Sequence, residues 1–232
     1  FFWLMKECGA SYMMFCDQDD VWYPDKVEKT MRALLEAQED AGADTPVLVF
    51  TDLTPVDENL RPIASSLMRM QRQYAVTIDY RALLFQNIVT GCATGINRAL
   101  AELASRCTDT SQVIMHDWWL GVVAARFGKI VYLDESTMLY RQHGGNSVGA
   151  KDVGGIRYLL HNLHHAAAIR MGLLAKKRQA TIFSVLYQDG LTQPDRCFLQ
   201  NFSRKRSGCR FYWKWRILIS DRRHLFGMMV LG

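Results

Sequence analysis

The sequence predicts an α/β domain over residues 1–150 followed by a mostly α-helical, basic region over residues 151–232, and three observations carry that prediction. Short β-like runs alternate with segments of helical periodicity through the first part. From about Gly155 onward the pattern is helical, with no strong β signal. The charge changes at the same place: residues 1–150 hold 13 Lys and Arg against 19 Asp and Glu, a net of −6, whereas residues 151–232 hold 15 against 4, a net of +11. An acidic front and a basic tail separate two tasks, chemistry in the first and attraction to a polyanion in the second. At 232 residues and 49% hydrophobic content, the chain is long enough to bury a sizeable core.

Taken in order, Ser11 to Asp17 is apolar on both faces, the pattern of a central buried strand that ends in carboxylates. Pro24 stands where a helix begins, and Asp25 to Ala41 carries Val27, Met31, Leu34 and Leu35 at helical spacing before Gly42 ends it. Val47 to Asp52 reads as a second buried strand, and Pro55 to Pro62 as a turn-rich connection. A short helix is expected at Tyr80 to Phe85. In VTGCATGINRALAEL, small residues lie beside a strand, and Asn97 caps a helix that runs to about Ser105. His116 to Phe127 is a further helix closed by Gly128. Lys129 to Leu133 and Thr137 to Gln142 read as two strands, followed by the glycine-rich HGGNSVGA. The six cysteines form no CxxC pair and read as reduced packing residues, with Cys16 and Cys92 buried as small hydrophobes. No run of about 18 apolar residues offers a bilayer-spanning helix.

The carboxylates Asp17, Asp19 and Asp20 lie just beyond the first strand, where ligands of open α/β sheets bind. Carboxylates at i and i+2 on an extended end face one side, so Asp17 and Asp19 are placed to share a hard cation or to hold a ribose and a metal together. Three such acids against an apolar strand repel one another unless a cation or basic residue compensates them. Capping the following helix is the plainer alternative. An EF-hand is excluded, because Trp22 occupies the loop position that requires glycine. In MHDWW, Asp117 opens an apolar helix, either as a general base or as an ordinary N-terminal acid. In YRQHGGN, Arg141 suits a phosphate and a neutral His143 suits a metal, although each alone is also an ordinary surface residue.

The stretches YMMFCDQDDVWYPDKV, NIVTGCATGINRAL and MHDWWLGVVAARFGKIVYLDESTMLYRQHGGNSVGA, in this order, resemble the family 2 glycosyltransferases of the GT-A fold, in their bacterial rhamnosyltransferase-like branch. The resemblance implies a Rossmann-like mixed sheet flanked by helices and an inverting transfer from a nucleotide-diphosphate sugar to a glycan or lipid-linked hydroxyl. It implies that Asp17 and Asp19 bind ribose and a divalent metal, Mg²⁺ or Mn²⁺, with His143 as a further metal ligand. Asp117 matches the general base, and Arg141 lies near the leaving diphosphate. Gly91 and Cys92 match a loop beside the donor sugar, and Trp118 and Trp119 match walls on the acceptor side. Family members begin with a strand, a Thr-Tyr-Asn-like turn and an acid that hold the nucleotide base. Nothing before Phe1 supplies these, so the expected domain is incomplete at its N-terminus and the chain is read as a fragment.

The segment SRKRSGCRFYWKWRILISDRRHLF interleaves basic residues with Phe211, Tyr212, Trp213 and Trp215. Such a pattern sets rings at headgroup depth and cations toward anionic lipid. Residues 204–226 are therefore expected at the cytoplasmic face of the cell membrane, with plain helix packing as the alternative and no nucleic acid as partner. His161, His164 and His165 have helical spacing but no nearby acid or cysteine to complete a zinc site. Two other function classes compete: a non-catalytic sugar- or membrane-binding module, and a glycoside hydrolase pairing Asp117 with one of the DQDD acids. The hydrolase needs neither metal nor nucleotide.

Overall fold

Pro24 and Gly42 bound the first long helix, as their chemistry requires. A computed structural model describes residues 1–71, 73, 78–142 and 166–204. In it α1 (Phe2–Glu7), β1 (Tyr12–Met14) and β2 (Val21–Trp22) precede α2 (Lys26–Ala41), which stops at Gly42 with φ +98, a conformation glycine adopts without strain. Then come β3 (Val47–Val56), α3 (Leu67–Met70), α4 (Tyr80–Phe85), β4 (Thr94–Asn97), α5 (Arg98–Ala104), α6 (His116–Phe127) and β5 (Lys129–Arg141). Two helices, α7 (Ala166–Leu186) and α8 (Gln193–Ser203), follow. The glycine-rich HGGNSVGA, His143, the three clustered histidines and the basic, aromatic tail beyond Arg204 lie outside the described residues.

The five strands form one mixed sheet in the order β1-β4-β3-β5-β2. Only β3 and β5 are parallel. Gly128 makes that parallel pairing possible. A Cβ there would lie 1.8 Å from the Pro46 carbonyl oxygen, the same oxygen that accepts the Lys129 N–H. Only glycine therefore lets α6 pass directly into β5 beside the start of β3. Asn97 supports the neighbouring corner. Its Oδ1 accepts the N–H groups of Leu100 and Val47, and its amide donates to the Thr45 carbonyl and to Gln38. One buried side chain thus caps α5 and ties the end of α2 to β3, where a cap alone contributes about 1 kcal/mol.

Four sequence expectations are corrected. The central buried strand is β3, whereas β1 is three residues long, half-buried, and paired on one side only among the described residues. An apolar run reports burial and not rank in the sheet; Phe15 finds its burial against the His116 ring. The two strands expected over Lys129 to Gln142 are one strand, β5, whose exposed Asp134 and Glu135 mark a register shift opposite Thr51 and Asp52. Pro55 and Val56 belong to β3, and the reversal is confined to the next residues, where the Asp57 carboxylate accepts the N–H groups of Asn59 and Arg61. Cys92 is buried as expected, but Cys16 is exposed.

One face of the sheet carries α2, whose Leu34 and Ala37 pack on Val47 and Val49. The other face holds the larger core, in which Leu48, Phe50 and Ile96 meet α4, α5 and α6. Helices α7 and α8 join that same core through Phe183, Tyr187, Phe198 and Phe202. Asp195 pins them: its carboxylate accepts the Tyr80 hydroxyl at 2.6 Å and the Thr192 hydroxyl at 2.6 Å, and pairs with Arg81 and Arg126, each at 2.8 Å.

Candidate active site

A cleft of about 640 Å³ runs from the end of β1 to the start of α6. Its carboxylate pole is shaped by a turn at Gln18 and Asp19. The turn replaces the extended geometry expected of i and i+2 residues. It brings carboxylate oxygens of Asp17 and Asp20, with the Cys92 sulfur, within 4.8 Å of one another. Asp19 lines the same cleft but stands outside this trio. Burial, then the Asp19 charge, raises the Asp17 carboxyl above its ordinary range. Burial raises Asp20 too, partly offset by the Arg141 N–H that donates to its Oδ1 at 3.0 Å.

Arg141 lies beside the cluster, and its guanidinium serves the loop. Its Nε donates to the Asp19 carbonyl at 2.9 Å and its Nη1 to the Glu58 carbonyl at 2.5 Å. Lys26, only 2% exposed, lies behind the acids. Its ammonium donates to Thr137 Oγ1 at 3.3 Å and lies 5.0 Å from the Trp22 ring. Burial lowers its pKa, opposed by Cys92, Cys16 and Asp20. No ion pair joins it to the acids among the described residues, so its compensation is partial.

The donor set fits a hard divalent ion. Asp20 Oδ2 is buried without a hydrogen-bond partner, and two carboxylates leave most of an octahedral shell to water and substrate oxygens, as Mg²⁺ prefers. The Cys92 thiol, kept protonated by burial and by the neighbouring acids, is a poor ligand for such an ion.

At the other pole stands Asp117, 3% exposed. Its Oδ2 accepts the Gly91 N–H at 3.0 Å and its Oδ1 the Trp118 N–H at 2.6 Å. Burial pushes its pKa up to about 6, moderated by these N–H groups and by the Asn87 side chain. The Gly91 backbone reaches it because a Cβ at that position would meet His116 Nε2 at 2.8 Å. His116 is itself held neutral, its pKa pushed down by burial to about 4. Trp118 lines the cleft with its indole N–H bonded to the Leu83 carbonyl. Trp119 does not, which corrects the expected pair of acceptor walls. Successive helical residues point about 100° apart, and Trp119, fully buried, packs between Phe183 and Tyr187 with its N–H on the Ala104 carbonyl.

The cleft therefore gathers Asp17, Asp19, Gly91, Cys92, Asp117 and Trp118 from segments scattered along the sequence, with Asp20 adjoining it through Asp17 and Cys92. Sequence reasoning underrated Asp20 and missed Asn87, Lys26 and Lys176, the last reaching the cleft from α7. A lone Lys or Asn on a helix or loop carries no local signal of this kind. Over its whole length the chain is 24% identical to the dTDP-rhamnosyl transferase RfbG of Shigella flexneri and covers 76% of that protein. The chain is distantly homologous to a glycosyltransferase. No family model and no solved structure matches it.

Proposed function

We propose that the chain is the catalytic part of a metal-dependent, inverting glycosyltransferase of family 2 with a GT-A fold. It moves a sugar, rhamnose by the likeness to the Shigella protein, from a nucleotide-diphosphate donor to a hydroxyl of a glycan or lipid-linked acceptor. The observation that supports this reading is the cleft that joins Asp17, with the Asp20 carboxylate beside it, to a buried, backbone-clasped Asp117.

In this reading Asp117 takes the acceptor's hydroxyl proton while that oxygen bonds the anomeric carbon. The bond from carbon to the diphosphate oxygen breaks, and the diphosphate leaves with the electron pair. Each Asp117 oxygen already accepts one N–H, which fixes the carboxylate's plane and leaves lone pairs for the proton. A pKa near 6 makes it a stronger base than an ordinary aspartate and keeps it ionised at neutral pH. Asp17 and Asp20 would hold Mg²⁺ or Mn²⁺, which supplies positive charge to the departing diphosphate. Arg141 sets the position of that loop. The 204–226 stretch would keep the enzyme at an anionic membrane surface. No described helix is long and apolar enough to cross a membrane.

Transfer from a panel of nucleotide sugars, followed with and without EDTA, tests the proposal. Turnover is expected with Mg²⁺ or Mn²⁺ and lost in EDTA; undiminished turnover in EDTA removes the metal. Cleavage of a glycoside to water, with no nucleotide required, would point to the hydrolase instead. The turn at Gln18 and Asp19 makes a finer prediction. Asp17→Asn and Asp20→Asn each weaken Mn²⁺ binding, followed by electron paramagnetic resonance, by about tenfold or more, and Asp19→Asn weakens it less. Equal or greater damage from Asp19→Asn would restore the extended i, i+2 pairing.

A further inference from the structure

Lys176 enters the cleft from α7, in the part of the chain that the sequence assigns to the basic helical region. Its ammonium lies 5.6 Å from the centre of the Trp118 ring, beside the residue that follows Asp117. Burial pushes its pKa down to about 8, and no other group contributes to that shift. Several half-buried cations elsewhere have anionic partners: Arg81 and Arg126 share Asp195, and Lys29 bridges Asp25 and Glu135, whereas the buried Lys26 rests on Thr137 and the Trp22 ring. Lys176 has no ion-pair partner among the described residues. The exposed carboxylates of the cleft gather around Asp17, and none of them is close enough to move its titration.

A desolvated cation without a counter-ion is unfavourable unless a ligand supplies one. A compact ammonium on a flexible stem is a point-charge partner for phosphoryl oxygens, and its attraction is strengthened where water is displaced by an apolar wall. Trp118, Ile114 and Met115 furnish that wall. The cleft thus carries Asp17 and Asp19 at one end and, at the end where Asp117 stands, a cation without an ion-pair partner among the described residues. A phosphate that cannot approach the bare acids is accommodated at Lys176.

We propose that Lys176 is a phosphate-binding residue that holds a phosphoryl group of the molecule seated at the Asp117 and Trp118 end of the cleft. The identity of that molecule rests on the transferase reading: the acceptor hydroxyl must lie beside Asp117, so a phosphate carried by the acceptor is the expected source, and the donor's diphosphate is the other.

The test needs no turnover in its first arm. Inorganic pyrophosphate is titrated by calorimetry into the full chain, without divalent metal, for the wild type, Lys176→Gln and Lys176→Arg. Loss of one charge-assisted contact is expected to weaken binding about tenfold or more in Lys176→Gln, with most of the affinity kept in Lys176→Arg. Equal binding by wild type and Lys176→Gln, or none by the wild type, overturns the proposal. Thermal unfolding of each variant separates a packing defect at Trp118 from loss of the contact, and Lys176→Met, which keeps the stem over the ring, must lose pyrophosphate like Lys176→Gln. In the kinetic arm, a rise in acceptor KM with kcat retained places the phosphate on the acceptor, and a rise in donor KM places it on the donor. If both KM values are unchanged, the proposal fails while the transferase reading stands. If no sugar is transferred yet pyrophosphate binding depends on Lys176, the transferase reading fails and the phosphate site stands.

Discussion

Asp117→Asn is expected to lower kcat for sugar transfer by about 10²–10⁴-fold while nucleotide-sugar binding is retained. The carboxylate sits at the cleft wall with both oxygens oriented by backbone N–H groups. The amide keeps the shape and removes the base. The pH profile gives an independent reading. Burial pushes the Asp117 pKa up to about 6, above the ordinary aspartate value near 4, so the unprotonated form needed for proton removal is lost on acidification earlier than for an exposed acid. The rate should fall about tenfold per pH unit below that pKa. A profile that stays flat down to about pH 5, or full activity in Asp117→Asn, would remove Asp117 as the base. The same shift has a stability consequence of opposite sense. A native carboxyl that binds its proton more tightly than the unfolded chain loses stability when it ionises. Thermal melting at neutral pH should therefore show Asp117→Asn no less stable than the wild type.

Asp195→Ala is expected to be the most damaging single change to the fold, costing about 3 kcal/mol. For a chain of this size that corresponds to a drop of roughly 6–12 °C in Tm. Its carboxylate is nearly inaccessible and serves α4, α6 and α8 together through Tyr80, Arg81, Arg126 and Thr192. Removing it takes the carboxylate from the half-buried Arg126, leaves Arg81 with Asp79, and removes the side-chain half of the α8 capping box that accepts the Thr192 N–H. Burial would raise its pKa, but the hydrogen bonds from Thr192 and Tyr80 and the Arg126 charge together hold it well below the usual carboxylate range. A depressed native pKa means that the stabilisation is fully present above the unfolded value near 4 and is lost as pH falls further. Urea melts at pH 7 and pH 3 check this: the difference between wild type and Asp195→Ala should shrink at the lower pH. A difference that does not depend on pH would assign the loss to packing instead of charge.

Much of the secondary structure was legible because it is set by near neighbours. Pro24 and Gly42 bound α2, Asn97 caps α5, and Gly128 ends α6, each through a backbone preference that acts within one helical turn. The short helix over Tyr80 to Phe85 was legible for the same reason. Strand rank was not. Tyr12 to Met14 and Val47 to Val56 are both apolar, and only the pairing partners place one at the edge and the other at the centre. The merging of two expected strands into β5 likewise depends on β3 lying alongside to carry the ladder through its irregularity.

The candidate site divides in the same way. The sequence alone singled out the DQDD run and Asp117, because charge placed against an apolar segment is locally anomalous and calls for a ligand or a cap. Only the tertiary structure decided how those acids are arranged. A turn joins Asp17 to Asp20, Arg141 is drawn onto backbone carbonyls, and the rotation between successive helical residues sends Trp118 to the cleft and Trp119 to the core. Lys26 beneath the acids and Lys176 above Trp118 were beyond any local pattern. Their environment is set by desolvation and, for Lys26, by the charges of distant segments, and those quantities exist only once the chain has folded.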